Sequence, residues 1–221
     1  MPQVFGPSAN TLAKLSLVVI AFLVVGGLCA LDAIHRSPYV RYTGISQSQP
    51  VPFSHKHHTS LGIDCRYCHT SVEESSFADV PPTRVCMNCH NLIWNDSPML
   101  EPVRASWRDE TPLEWNRVND LPDFVYFNHS IHVDRGIACV TCHGQVDDMP
   151  LTWREHPLFM KWCVECHRAP EKFIRPPDEV TNMDWEWPEG MSQAVDGPRL
   201  VTEAGIEESN HQLTDCWICH R

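Results

Sequence analysis

Cys65-Arg66-Tyr67-Cys68-His69 (CRYCH) is the first of five pentapeptides built alike. CMNCH follows at Cys86–His90, CVTCH at Cys139–His143, CVECH at Cys163–His167 and CWICH at Cys216–His220. Each reads C-x-x-C-H, the pattern by which a c-type haem is attached. Two cysteines three residues apart share one face of a helical turn, where both sulfurs can form thioethers with the haem vinyl groups. The adjoining histidine then reaches the iron as proximal ligand. C-x-x-C pairs also build zinc sites, but zinc gathers them into sets of four ligands and gives no reason for a histidine after every second cysteine. A disulfide framework leaves the histidines unexplained as well. Ten of the eleven cysteines belong to the motifs and only Cys29 remains. The expectation is five covalently bound haem c groups, held by Cys65, Cys68, Cys86, Cys89, Cys139, Cys142, Cys163, Cys166, Cys216 and Cys219. His69, His90, His143, His167 and His220 would be the proximal ligands.

Eighteen prolines and ten glycines in 221 residues, with little sustained apolar periodicity, argue against a large sheet or a regular bundle. A haem is itself a large apolar plate, so short segments can wrap a stack of haems without burying much side-chain area. The expected fold is therefore mainly α and irregular, with short helices around a haem stack. One segment stands apart. Leu12 to Leu31 reads LAKLSLVVIAFLVVGGLCAL, and twenty helical residues span about 30 Å, the thickness of a bilayer's apolar core. A cleaved signal peptide would have a shorter apolar region and an A-x-A site, whereas Leu28 and Leu31 stand where small residues are wanted. Leu28 also fits poorly before Cys29 as a lipoprotein signal. The expectation is an uncleaved single-pass anchor in the cytoplasmic (inner) membrane. Because haem is attached outside the cytoplasm, the rest of the chain would lie on the periplasmic or outer face. With 28 acidic against 17 basic residues, net −11, the chain does not suit nucleic acid or anionic lipid as a partner. The balance is compatible with steering a basic soluble carrier.

An internal repeat organises the rest. Phe53, His55, His58, Gly62, Ile63, Cys65, Cys68 and His69 each recur 74 residues later, as Phe127, His129, His132, Gly136, Ile137, Cys139, Cys142 and His143. The implied division is 1–36 tail and transmembrane helix, 37–52 linker, 53–126 first dihaem module with a connecting segment, 127–177 second dihaem module. Residues 178–221 would form an acidic, tryptophan-containing loop and the fifth haem site. Between the modules, Ser97-Pro98 reads as a helix start that sets Leu100, Val103 and Trp107 on one face. His55/His58 and His129/His132 stand at i, i+3, so one helical turn can offer two imidazoles to iron. Met149, His156 and His211 are the candidates for a fifth distal ligand. His57, whose repeat counterpart is Ile131, reads as a surface residue, and His35 as interfacial. With both axial positions of each iron filled, the chain reads as an electron carrier with no catalytic residue of its own.

The phrases joining the motifs resemble a family. PFSHKHH (52–58), LGIDCRYCH (61–69), PPTRVCMNCH (81–90), LPDFVYFNHSIHVDRGIACVTCHGQVDDM (121–149) and KWCVECHRAPE (161–171) are similar to the pentahaem cytochrome c subunit of bacterial alternative complex III, a quinol:electron-acceptor oxidoreductase. The modules also resemble class III multihaem cytochromes, in which the first histidine of H-x-x-H serves the next haem in sequence and the second serves another. The resemblance implies His55, His58, His129, His132 and Met149 as distal ligands. It also implies relay of electrons from quinol to a periplasmic acceptor in a respiratory or photosynthetic complex. The implied partners are polytopic quinol-binding membrane subunits, a large iron–sulfur periplasmic subunit, and a monohaem cytochrome c or soluble acceptor. The alternatives are a free-standing membrane-anchored quinol dehydrogenase feeding periplasmic reductases, and a multihaem reductase enzyme.

Overall fold

A computed structural model describes residues 5–206 and 212–220, in two compact units, Met1–Tyr42 and Thr43–Arg221. The first unit holds α1 (Ala9–His35) and α2 (Pro38–Arg41). Leucine and alanine favour the helix, and the many valines cost it little once an apolar surrounding accepts them. Twenty-seven residues at a mean hydropathy of 2.6 in the most apolar window make α1 long and apolar enough to cross a bilayer, a description that an N-terminal signal sequence also meets. The helix stops before Ser37-Pro38, since proline disfavours helical backbone in the residue preceding it. Asp32 pairs with Arg36 one turn on, at 2.9 Å, and the Arg41 guanidinium bonds the His35 ring.

In the second unit the helices are short: α3 (His55–Thr59), α4 (Cys65–Cys68), α5 (Thr83–His90), α6 (Glu101–Arg108), α7 (His129–Asp134), α8 (Cys139–His143), α9 (Met160–Arg168), α10 (Gln193–Glu203) and α11 (Cys216–Cys219). Side chains at their starts satisfy backbone donors that would otherwise be orphaned. Ser54 accepts from the His57 N–H, and Asp64 accepts from the Arg66 N–H at 2.8 Å. Among the described residues there is no strand, only isolated bridges such as Ile137 with Ile174. Two small apolar clusters are buried: Val51, Leu100 and Val103, and Ile137, Ile174, Leu200, Val201 and Ile206. That is little core for so many residues, which fits a unit organised around cofactors.

The repeat seen in the sequence is also a repeat of contacts. The Lys56 N–H donates to the Met149 carbonyl at 3.3 Å, and the Ser130 N–H donates to the Ser75 carbonyl at 3.1 Å. Lys56 and Ser130 are 74 residues apart, as are Ser75 and Met149. Each module's H-x-x-H helix is thus gripped by the loop that follows the other module's first motif, so the two modules clasp reciprocally.

Two expectations are corrected. The inner stripe of α6 runs Leu100, Val103, Ser106, while Trp107 is 53% exposed. Ser106 can be buried because its hydroxyl finds both Thr83 Oγ1 and the Thr111 carbonyl. The stretch after Asp178 is not a loop throughout. α10 forms there despite Pro198, because Leu200 and Val201 pack on Ile137 and Ile174, and Gln193 Nε2 donates to the Glu171 and Ile174 carbonyls.

Gly62 and Gly136, repeat counterparts after α3 and α7, have φ of 78° and 79°, where L side chains are strained. A Cβ at Gly62 would meet nothing within 4 Å, whereas one at Gly136 would lie 2.2 Å from the Arg175 carbonyl oxygen. Gly62→Ala should therefore cost about 1 kcal/mol. Gly136→Ala should cost about 1–3 kcal/mol more, for the displaced backbone. Thermal unfolding of the two variants checks the difference, and equal losses would mean that the Gly136–Arg175 approach does not matter.

Candidate haem centres

The C-x-x-C pairs lie on helical turns: Cys65/Cys68 on α4, Cys86/Cys89 on α5, Cys139/Cys142 on α8, Cys163/Cys166 on α9 and Cys216/Cys219 on α11. The cysteines of a pair share a face, and the histidine that follows sits at or beyond the helix end. What the helices bring together is imidazoles, two at a time. The ring centroids of His58 and His90 are 6.1 Å apart, those of His129 and His143 are 6.4 Å apart, and those of His132 and His167 are 6.1 Å apart. Two imidazoles ligating one metal from opposite sides stand about 6 Å apart by centroid, given a metal–nitrogen distance of about 2.0 Å. The spacing therefore fits an iron between each pair. His55 shares α3 with His58, and burial is the main cause that pushes its pKa down to about 4.

A zinc cage would gather three or four of these side chains at one point. Among the described residues no cluster of three His, Cys, Asp or Glu does so, and the ligand types face each other in pairs instead.

The second ring nitrogen of each imidazole decides which nitrogen is offered to a metal. Nδ1 of His58 donates to the Ser54 carbonyl at 2.8 Å, and Nδ1 of His132 to the Asn128 carbonyl at 2.7 Å, the same i−4 contact in both modules. His129 Nδ1 reaches the Ser76 carbonyl and His55 Nδ1 reaches Thr152 Oγ1, each across to the other module. Among the proximal histidines, Nδ1 of His69, His90, His167 and His220 bonds the carbonyls of Asp79, Ile93, Leu213 and Phe124. His143 is the variant case. Asn119 Nδ2 lies 3.0 Å from its Nδ1, and Asn119 Oδ1 is buried without a hydrogen-bond partner. Turning that amide over would present Oδ1 to an Nδ1–H, giving both groups a partner. In all nine rings Nδ1 is engaged, which leaves Nε2 to carry the lone pair toward iron.

Aromatic packing fixes the distal rings further. Phe53 stacks on His58 at 4.4 Å and meets His55 edge-on, and Phe127 repeats both contacts with His132 and His129. Burial is the main cause that lowers the pKa of His132 and brings that of His143 down to about 4, so the imidazoles sit neutral in dry surroundings.

The other candidates have these surroundings. Met149 is 1% exposed and its carbonyl accepts from Lys56 on α3, and the His220 ring lies 5.8 Å from that of Phe124. His156 stacks on Trp162, His57 is exposed, and His35 belongs to the first unit. His211 lies outside the described residues. Sequence reasoning missed Thr152 and Asn119. Neither type marks a haem site by itself, and only the fold brings them to His55 and His143.

Two family descriptions match separate stretches of the chain. "Class III cytochrome C family" covers residues 32–105, and "Cytochrome c7 and related cytochrome c" covers residues 125–221. These are multihaem cytochrome c domains. The chain accordingly binds haem c covalently and works in electron transfer. It is similar to the multihaem cytochrome c subunit of menaquinone reductase from Nitratidesulfovibrio vulgaris, 33% identical over 99 residues. That match spans 44% of this chain and 46% of the relative, so the chain covers less than half of the relative's length.

Thioether attachment has a direct consequence. After denaturation in detergent and acid–acetone extraction, haem should stay with the polypeptide, and a haem-specific gel stain reads this out. Haem that washes away would contradict covalent binding at these motifs.

Proposed function

We propose that this chain is the pentahaem electron-transfer subunit of a membrane-bound quinol oxidoreductase of the alternative complex III type. It would be anchored by α1, with Thr43–Arg221 on the periplasmic (outer) face. The observation that carries the reading is the set of imidazoles facing each other at 6.1–6.4 Å with every Nδ1 engaged. In this reading His55 serves with His69, His58 with His90, His129 with His143 and His132 with His167. His220 is the proximal ligand of the fifth site. Bound haem supplies an iron that accepts and returns one electron without changing its ligands. The chain's contribution is to hold both axial imidazoles rigid through Nδ1 and aromatic packing, so that little rearrangement accompanies the change of charge. Filled axial positions keep substrates off the metal, so the chain relays and its partners do the quinol chemistry. Those partners, by resemblance, are polytopic quinol-binding subunits and a large iron–sulfur subunit, with a monohaem cytochrome c or other soluble carrier as acceptor. The acidic balance of the chain, net −11, favours a basic carrier.

A second reading shares the wire and reverses it. The relative's name is a menaquinone reductase subunit, so electrons would run toward quinone. The two readings separate on one preparation. Native protein purified in mild detergent should carry its partner subunits and reduce a soluble cytochrome when given quinol. Turnover only from a reduced carrier to quinone would establish the reverse direction. A solitary chain with neither activity would remove both. The intact mass should exceed that of the polypeptide by five haem groups. Thr152→Val, which takes the partner from His55 Nδ1 and so weakens that imidazole as a donor, should raise one reduction potential by roughly tens of millivolts. An unchanged set of potentials would argue that His55 is not a ligand.

A further inference from the structure

The five attachment sites need not be strung in space as they are in sequence, and four sets of contacts fix their neighbours. On α3, His55 and His58 are three residues apart, and His58 faces His90. Sites 1 and 2 are therefore adjacent, as Tyr67 Oη and Asn88 Nδ2, from the middles of motifs 1 and 2, confirm by bonding at 3.0 Å. On α7, His129 and His132 face His143 and His167, which makes sites 3 and 4 adjacent in the same way. The modules meet between their first motifs. The Cys139 N–H donates to the Val180 carbonyl, and the adjoining Thr181 hydroxyl donates to Asp64 just ahead of Cys65, a repeat counterpart of Cys139. Site 5 adjoins site 4. His167 Nδ1 bonds the Leu213 carbonyl, just ahead of motif 5, at 2.7 Å.

From these contacts we infer that the chain sets its haem sites in a single row in the order 2–1–3–4–5, with the motifs Cys86–His90 and Cys216–His220 at its two ends. The reciprocal clasp of Lys56 with Met149 and Ser130 with Ser75 centres the 1–3 junction, so 2–1 and 3–4 are mirrored halves. Site 5 extends one end only. Exposure agrees independently: of the ten motif cysteines, only Cys89 and Cys216 are exposed, one in each end motif. Beside them Leu92 and Trp94, and then Trp217 within motif 5, also face solvent. An electron that enters at one end oxidises an external one-electron donor by one unit. When it leaves at the other end it reduces an external acceptor by one unit, and no proton or ligand changes hands. The sequence order 1–2–3–4–5 would instead put the first motif at an end and the second inside.

The inference rests on the five-haem reading, and the test keeps the two apart. Full-length protein is purified in detergent and its covalent haem counted chemically. Fewer than five haems in the unaltered protein overturns the five-haem reading before any order is tested. Reduction potentials are then resolved for the unaltered protein, His58→Met and His55→Met. Methionine ligation raises the potential of the marked site, which then reduces first, and its changed charge state shifts its neighbours by a Coulomb term that falls with distance. The row 2–1–3–4–5 predicts that marking site 2 with His58→Met displaces one other potential, and marking site 1 with His55→Met displaces two. The opposite counts would overturn it in favour of sequence order. If a methionine variant does not fold, whole sites are removed instead. Cys86→Ala with Cys89→Ala should displace one of the four remaining potentials, and Cys65→Ala with Cys68→Ala should displace two. The reverse result, or equal counts, contradicts the row.

Discussion

Everything in the second unit depends on holding two imidazoles at opposite sides of a point about 3 Å from each ring centre. A histidine side chain is short, and a five-residue helix such as α3 cannot be made rigid by its own hydrogen bonds. The rigidity comes from outside. Phe53 and Phe127 pin the rings, i−4 carbonyls fix His58 and His132, and the opposite module supplies the partners of His55 and His129. Each module borrows from the other the groups that hold one of its H-x-x-H imidazoles, which accounts for a single unit from Thr43 onward rather than two beads on a string.

The same constraint explains the poverty of the protein core. Most buried apolar residues form two small clusters, with Cys86 and Met87 packed against one and Cys142 against the other. Apolar burial by the polypeptide alone would be marginal for a chain of this size. Porphyrin faces are the missing apolar surface, and covalent attachment makes that surface part of the chain. Folding and haem attachment are then coupled, much as metal binding and folding are in small metallodomains.

Much of this was legible in the sequence. The motifs stand out by themselves, the 74-residue repeat announces the paired modules, and the H-x-x-H spacing predicts two imidazoles on one helical turn, which α3 and α7 carry. What could not be read is whatever depends on which segment returns to which. Trp107 looked like an inner residue by spacing, but Ser106 takes that place because Thr83 and Thr111 come to its hydroxyl. α10 was hidden by its acidic, proline-containing sequence and is held by packing on Ile137 and Ile174. Thr152 and Asn119 are ordinary polar residues until the fold places them on Nδ1 of His55 and His143. The spatial order of the sites is likewise a property of the clasp between modules and leaves no trace in spacing.

Electron paramagnetic resonance of the fully oxidised protein tests the paired-imidazole geometry most directly, because the angle between axial ring planes sets the anisotropy of a low-spin ferric haem. The rings of His129 and His143 lie 11° from parallel, and those of His58 and His90 are 69° apart. Near-parallel planes give a rhombic signal, and steeply crossed planes give a strongly anisotropic one. The account predicts both signal types, with at least four bis-histidine low-spin centres in all. A spectrum dominated by high-spin ferric haem, or one without a strongly anisotropic component, would contradict it.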